Sequence, residues 1–178
     1  MRALIRMVSI PLALAAALTG GCRRGAEETT PPPVVEESGR QLHHPAAPIT
    51  LRLPEGWESS EEAGTLTLVS PGEEVVMMLL AVEAGDLEES LAALNRELGA
   101  IVPNATVEEI SEVKINGLEA MVADGAGTLD GQAVSLGLVL LRAPNGRILM
   151  IVGLALADAS PASAEGTASI LASLQAAE

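Results

Sequence analysis

Phenylalanine and tyrosine are absent from this chain of 178 residues, and Trp57 is its one tryptophan. Single-stranded nucleic acid is bound largely by stacking bases on aromatic side chains, and sugar clefts also lean on aromatic faces. The composition therefore weighs against both classes. Basic residues are also scarce, 10 Lys and Arg against 24 Asp and Glu, for a formal charge of −14. Such a balance disfavours nucleic acid and anionic lipid surfaces, which are polyanions themselves. Cysteine occurs once, at Cys22, so no internal disulfide can form and packing must supply the stability. Without aromatics, the core must be built from Leu, Val, Ile, Met and Ala.

The lone cysteine ends a segment with the marks of an export signal. Arg2 and Arg6 give it a positive start. Met7 to Leu18 is apolar apart from Ser9 and Pro11, too short for the ~20 residues of a membrane span. The small residues Thr19, Gly20 and Gly21 precede Cys22, which completes the secretory pattern. Leu18-Thr19-Gly20-Gly21-Cys22 resembles the bacterial lipobox, with Thr19 in the place usually held by Leu. The resemblance implies removal of residues 1–21 and acylation of Cys22 with chains such as palmitate. Two or more chains give stable attachment, since each buried methylene contributes about 0.8 kcal/mol. The expected address is the extracytoplasmic side of the cell envelope, or the periplasmic face of the outer membrane where the cell has two. Cleavage would remove two arginines and no acid, leaving 8 basic and 24 acidic residues and a charge of −16.

Residues 22–48 read as the lipidated cysteine and a tether. Glu27-Glu28, Pro31-Pro32-Pro33 and Glu36-Glu37 offer nothing to bury. A flexible coil of this length spans about 28 Å, and proline stiffening takes it to about 80 Å. The expected globular domain is 49–178. Ile49 to Leu53 and Thr65 to Ser70 alternate as half-buried strands, and Val75 to Glu83 is apolar on both faces. Asp86 begins a helix with Glu89 as its capping-box partner, and Leu87, Leu91, Leu94 and Leu98 form one stripe. Gly99 and Pro103 end it.

Three turn signals, Asn116-Gly117, Asp130-Gly131 and Pro144-Asn145-Gly146, separate strands at 106–115, 118–129, 133–142 and 148–157. The last of these is apolar on both faces and should be central. Within 133–140, Val134, Leu136, Leu138 and Leu140 make a bulky face. Ala133, Ser135 and Gly137 make a small face that a helix backbone could approach. Ser160 and Pro161 open a second helix with a stripe through Ala164, Thr167, Ile170, Leu171 and Leu174. The expected fold is α+β: a single mostly antiparallel sheet of six to seven strands with helices packed on it.

That order carries a resemblance. Pro54-Glu55-Gly56-Trp57 after the first strand, the strand pair, the mid-chain helix, the hairpin series and the closing Ile170-Leu171-Ala172-Ser173-Leu174 look like the PsbP/Mog-type α/β/α fold. That grouping includes bacterial lipoproteins of the LpqN and DcrB type, and the similarity covers residues 49–175. It implies a non-enzymatic accessory or binding domain.

Residues that suggest chemistry are few. His43-His44 falls in the expected tether with no acid beside it, whereas a rigid metal site needs three or four convergent ligands; it reads as a solvated pair. Ala133-Val134-Ser135-Leu136-Gly137 is a loose likeness of a nucleophile elbow. The elbow requires a strand–turn–helix and a histidine base, and neither is expected around Ser135. Asp124 and Asp130 flank Gly125-Ala126-Gly127 without the alternating ligands of a calcium loop, and the glycines read as a bulge or bend. No phosphate loop or dinucleotide fingerprint is present, so no catalytic residue, cofactor or metal ligand is assigned. Trp57 is the one candidate partner contact, because Trp is enriched at binding hot spots. Its alternative is a core residue after the first turn.

The function expected from these readings is a lipid-anchored accessory protein that binds another envelope protein and catalyses nothing. The alternative is a binding module for a small apolar or amphipathic ligand held between sheet and helix, where Met77, Met78 and Met150 lend plasticity. An enzyme working through carboxylates alone, as glycosidases do, is a third possibility, and the lack of aromatics weighs against it.

Overall fold

Period-two burial decides most of this fold. The computed structural model describes residues 39–82 and 104–177, together with Leu87, Glu89, Ser90, Leu94, Leu98 and Val102. Cys22 and most of the expected tether lie outside the described residues. The strands are β1 (Arg40–His43), β2 (Ile49–Leu53), β3 (Glu58–Glu62), β4 (Thr65–Val69), β5 (Val75–Val82), β6 (Thr106–Ile115), β7 (Leu118–Leu129), β8 (Gln132–Arg142) and β9 (Ile148–Leu156). One helix, α1 (Pro161–Ala172), follows, and then the short strand β10 (Gln175–Ala176).

The strands form two sheets, both antiparallel throughout. The larger has seven strands in the order β3-β4-β5-β9-β8-β7-β6, and the smaller is β1-β2-β10. β9 therefore sits in the middle of the large sheet, as its two apolar faces predict. Two-residue turns join three hairpins, each with both central φ angles positive: Ala63 and Gly64 at 50° and 83°, Asn116 and Gly117 at 48° and 86°, Asp130 and Gly131 at 49° and 80°. That pairing of signs matches the right-handed twist of the flanking strands. The turn at Pro144-Asn145-Gly146 is wider: Ala143 N–H donates to Arg147 O at 2.8 Å, and only Gly146 has positive φ.

Several expectations are corrected here. Ile49–Leu53 does not join the main sheet, so the fold holds two sheets rather than one. The expected tether ends too late, because Arg40–His43 pairs with β2 in the register Arg40↔Leu53 through His43↔Thr50. Its alternation is too short and too polar to read as a strand alone; a partner strand across the turn forms it. The strand Glu58–Glu62 was also not expected, since Glu-Ser-Ser-Glu-Glu buries almost nothing. It occupies an edge, where charged residues discourage pairing with other chains. The helix expected from Asp86 lies mostly outside the described residues, though Leu87, Glu89, Ser90, Leu94 and Leu98 are helical. α1 is thus the one α-helix described along its length. The register shift lies between the pairs Val107↔Gly125 and Ile110↔Ala123, with the extra residue on β6, so Gly125 borders the bulge and Gly127 does not. The two glycines also make room for Thr106 O and the Val102 side chain.

Each face of the large sheet carries its own core. On one face Leu79, Leu141, Leu149 and Ile151 pack with Ile49 and Leu51 of the small sheet and with Ile170 of α1. On the other, Leu138, Leu140, Ile148 and Met150 pack with Leu94, Leu98 and Val102. Burying one Leu or Ile contributes about 1.5–3 kcal/mol, so two faces of such residues replace the missing aromatics.

Candidate functional site

Cross-strand partners point to the same side of a sheet, so the register lays out rows of side chains beneath α1. One row is Leu79, Ile151, Val139 and Val122, large at every position. The next is Met77, Gly153, Gly137 and Asp124. The third is Val75, Ala155, Ser135 and Ala126. The sheet surface therefore drops by the volume of a side chain at the two glycines and stays low through Ala155 and Ser135. Neighbouring rows lie about 6.7 Å apart along a strand.

α1 spans this depression with Ala164 and Thr167, which are too short to fill it. Two connected hollows result. One, about 240 Å³, is lined by Met77, Ile151, Val139, Thr167 and Leu171 above Gly137 and Gly153. The other, about 260 Å³, adds Val75, Ser135, Ala155, Ala159 and Ala164. Both share Asp124, Gly137, Gly153 and Thr167. Met77, 1% exposed, closes the inner end of the row, and Asp124 stands exposed at the outer end. The result is an apolar trough with one carboxylate at its mouth.

The sequence reading found half of this site. It placed Ala133, Ser135 and Gly137 on a small face that a helix could approach; Ser135 and Gly137 line the hollows, and Ala133 is exposed outside them. It missed Gly153 and gave Asp124 no role. The signal for both is the register of β7, β8 and β9, and no single strand carries it.

A second surface lies at the β6 edge of the large sheet. Ile110 and Val113, 42% and 37% exposed, are the large hydrophobic residues that remain exposed among the described residues, and both are on this strand. Beside them, Glu112, Val113, Lys114, Glu119, Met121 and Leu87 line a cleft of about 570 Å³. No described strand pairs with the outer side of β6.

The remaining candidates fall elsewhere. Trp57 is 8% exposed and lies over Gly166 of α1, where an added Cβ would sit 2.6 Å from the indole Nε1. It closes one end of the core, the alternative its sequence context allowed. His44 is not solvated. At 5% exposure its Nδ1 accepts from Ala46 N–H and Ala47 N–H, both at 3.1 Å. Its Nε2 lies 3.0 Å from Leu79 O, which places the proton on Nε2. Burial pulls its pKa below the usual imidazole value, partly offset by the Leu79 carbonyl and by Glu61. The partners of His44 were invisible in sequence, because they are backbone groups from a turn and from β5, whereas His43 is exposed. Ser135 sits mid-strand in β8, and Asp130 is in the β7–β8 turn, six residues from Asp124.

No protein-family model matches the chain, and neither does the sequence of any curated protein. Solved structures do. LpqN of Mycobacterium tuberculosis, described as involved in cell envelope biogenesis, superposes with a TM-score of 0.54 at 16% identity, over 79% of this chain and 91% of its own. The Ran-binding protein Mog1p of Saccharomyces cerevisiae gives 0.55 at 11% identity, over 79% and 96%. Cyanobacterial PsbP of Synechocystis gives 0.55 at 9% identity, over 88% and 98%. A protein of Bacteroides thetaiotaomicron matches at 0.56 and 17% identity, and there the matched region spans 49% of the other chain. At these identities the likeness establishes a PsbP/Mog-like fold and nothing finer.

Proposed function

We propose that this chain is an extracytoplasmic accessory protein, held to a membrane by lipid on Cys22, that binds another cell-envelope protein and has no catalytic role of its own. The observation that carries the binding surface is the β6 edge: a ten-residue strand whose outer side no described strand pairs with, bearing Ile110 and Val113 beside a cleft. Strand edges offer a row of backbone donors and acceptors, and proteins use them to add a partner strand. Both outer strands carry three glutamates, Glu58, Glu61 and Glu62 on β3 and Glu108, Glu109 and Glu112 on β6, but β3 is only five residues long and has no large hydrophobic residue to offer, whereas β6 has Ile110 and Val113. LpqN, whose fold this chain shares, is described as acting in cell envelope biogenesis, in keeping with the address Cys22 suggests.

The test is site-specific photo-cross-linking in the native cell with the full chain. A cross-linker at position 110 should capture one envelope protein, a cross-linker at Glu58 should not, and Cys22→Ala should abolish capture. Equal yields from both edges would overturn the assignment of the surface. Capture unchanged by Cys22→Ala would overturn the role of the anchor.

A second reading, a binding module for a small amphipathic ligand, is favoured by the trough under α1. The hollows join Met77 at a buried end to Asp124 at an exposed one, the polarity an amphiphile would match.

A further inference from the structure

Glycine weakens the interior of a strand relative to alanine, and it commonly marks a bulge, a bend or a place where a ligand or a second backbone comes close. Gly137 and Gly153 pair with each other in the two most central strands of this part of the sheet, and the fold gives neither of the first two reasons. Their backbones are not among the glycines with positive φ. The β8–β9 register runs through them without a shift. An added Cβ would meet nothing within 4 Å at Gly137, and at Gly153 only Gly137 O at 3.6 Å, an ordinary contact. Gly166 differs, since there a Cβ would strike Trp57. The paired glycines thus keep open a space that none of the described side chains occupies.

The shape and charge of that space narrow the ligand. The hollow that runs from Met77 to Asp124, about 240 Å³, falls below the ~300–1,000 Å³ of pockets for drug-sized molecules, so it suits a single short chain. Val75, Met77, Ile151 and Leu171 make the walls apolar. Asp124 supplies a carboxylate at the mouth, on a chain of net charge −14. We propose that the trough binds a short-chain alkyl amphiphile with a cationic head: the alkyl part lies over Gly137 and Gly153 towards Met77, and the ammonium meets Asp124. This rests on the small-ligand reading and not on the protein-partner reading. A free amphiphile fits better than a partner's lysine, because the apolar end must lead. A lysine entering from outside would bring its ammonium to Met77.

Methyl-resolved NMR titration of the full chain carrying Cys22→Ser tests this, with shifts followed at Met77, Ile151 and Leu171. The probes are n-hexylammonium, hexanol, hexanoate and N-acetyl-lysine methylamide. Hexylammonium should bind roughly fivefold or more tightly than hexanol, the scale of one exposed charge contact, with hexanoate and the lysine derivative weaker still. Asp124→Asn should erase the preference of hexylammonium over hexanol. Gly137→Ala with Gly153→Ala should abolish binding of both while leaving the melting temperature equal or higher, which separates loss of the space from loss of the fold. If hexanol and hexylammonium bind alike, and the double alanine variant stops both, the cationic head is wrong and the ligand trough stands. If no probe shifts the trough methyls, both fall. Lysine derivative binding as tight as hexylammonium would overturn the choice of a free amphiphile.

Discussion

The imidazole of His44 accepts from two backbone N–H groups and can donate only through Nε2, so the folded protein holds it neutral. Protonation at Nδ1 would break the turn at Ala46 and Ala47 and leave a charge buried. The charged groups nearby are Glu61 on β3 and Arg147, whose Nη1 donates to Ala46 O at 3.0 Å. With the folded pKa below the unfolded value near 6.5, the unfolded chain binds the extra proton first. Stability is therefore full above about pH 6.5 and falls as the pH drops through that value, by at most about 1.4 kcal/mol per pH unit for one proton. His44→Ala should cost about 1–3 kcal/mol at pH 7.5 by stranding two N–H groups. Denaturant melts at pH 7.5 and 5.5 should show that gap narrowing in acid; a constant gap would contradict the neutral latch. A different residue-scale pairing joins Trp57 to Gly166. Alanine raises helix propensity over glycine by about 1 kcal/mol, yet Gly166→Ala should destabilise, because its Cβ collides with the indole. Adding Trp57→Leu should restore the propensity gain in a double-mutant cycle read by thermal melts.

At the scale of the element, α1 is fixed at both ends by residues from distant hairpins. At its start Ser160 Oγ accepts from Ser163 N–H, and Glu74 accepts from Ser160 N–H, Ser160 Oγ and Ser163 Oγ. Those hydrogen bonds hold the Glu74 carboxyl below the usual range, against a smaller opposing effect of burial. A lowered carboxylate pKa stabilises the fold above the unfolded pKa, near 4.5, and the contribution is lost as the pH falls through the folded value. Glu74→Gln should thus lower the melting temperature at pH 7 and flatten its decline below pH 4.5. At the other end Asn116 Nδ2 donates to Ala172 O and Leu174 O, at 2.7 and 2.8 Å. Asn116-Gly117 was legible as a hairpin turn, but not its second task of capping a helix 56 residues on. Asn116→Gly keeps the positive φ and removes the cap, so it should cost about 1 kcal/mol in a urea melt without changing the slope.

For the whole molecule, the proposed attachment to the envelope rests on the single cysteine, Cys22, and the segment before it. If Cys22 carries the proposed lipid, Cys22→Ala should move the protein from the membrane fraction to the soluble fraction, and intact mass should show the loss of the acyl chains. Retention in the membrane fraction would assign the attachment to another part of the chain. No described helix is long and apolar enough to cross a membrane.

The sequence by itself determined the strands with strict alternation, the three glycine turns of the second half, the central place of β9 and the Ser160-Pro161 start of α1. Each follows from neighbours in the chain, through side-chain period, turn chemistry or a cap. The tertiary structure decided what depends on residues far apart: the transfer of Ile49–Leu53 to a second sheet, the edge strands β1 and β3, the burial of His44, and the row Met77, Gly153, Gly137, Asp124. Strands of low apolar content form only because a partner supplies their hydrogen bonds. A trough exists only where the register of four strands aligns two missing side chains beneath a helix too slender to fill the gap.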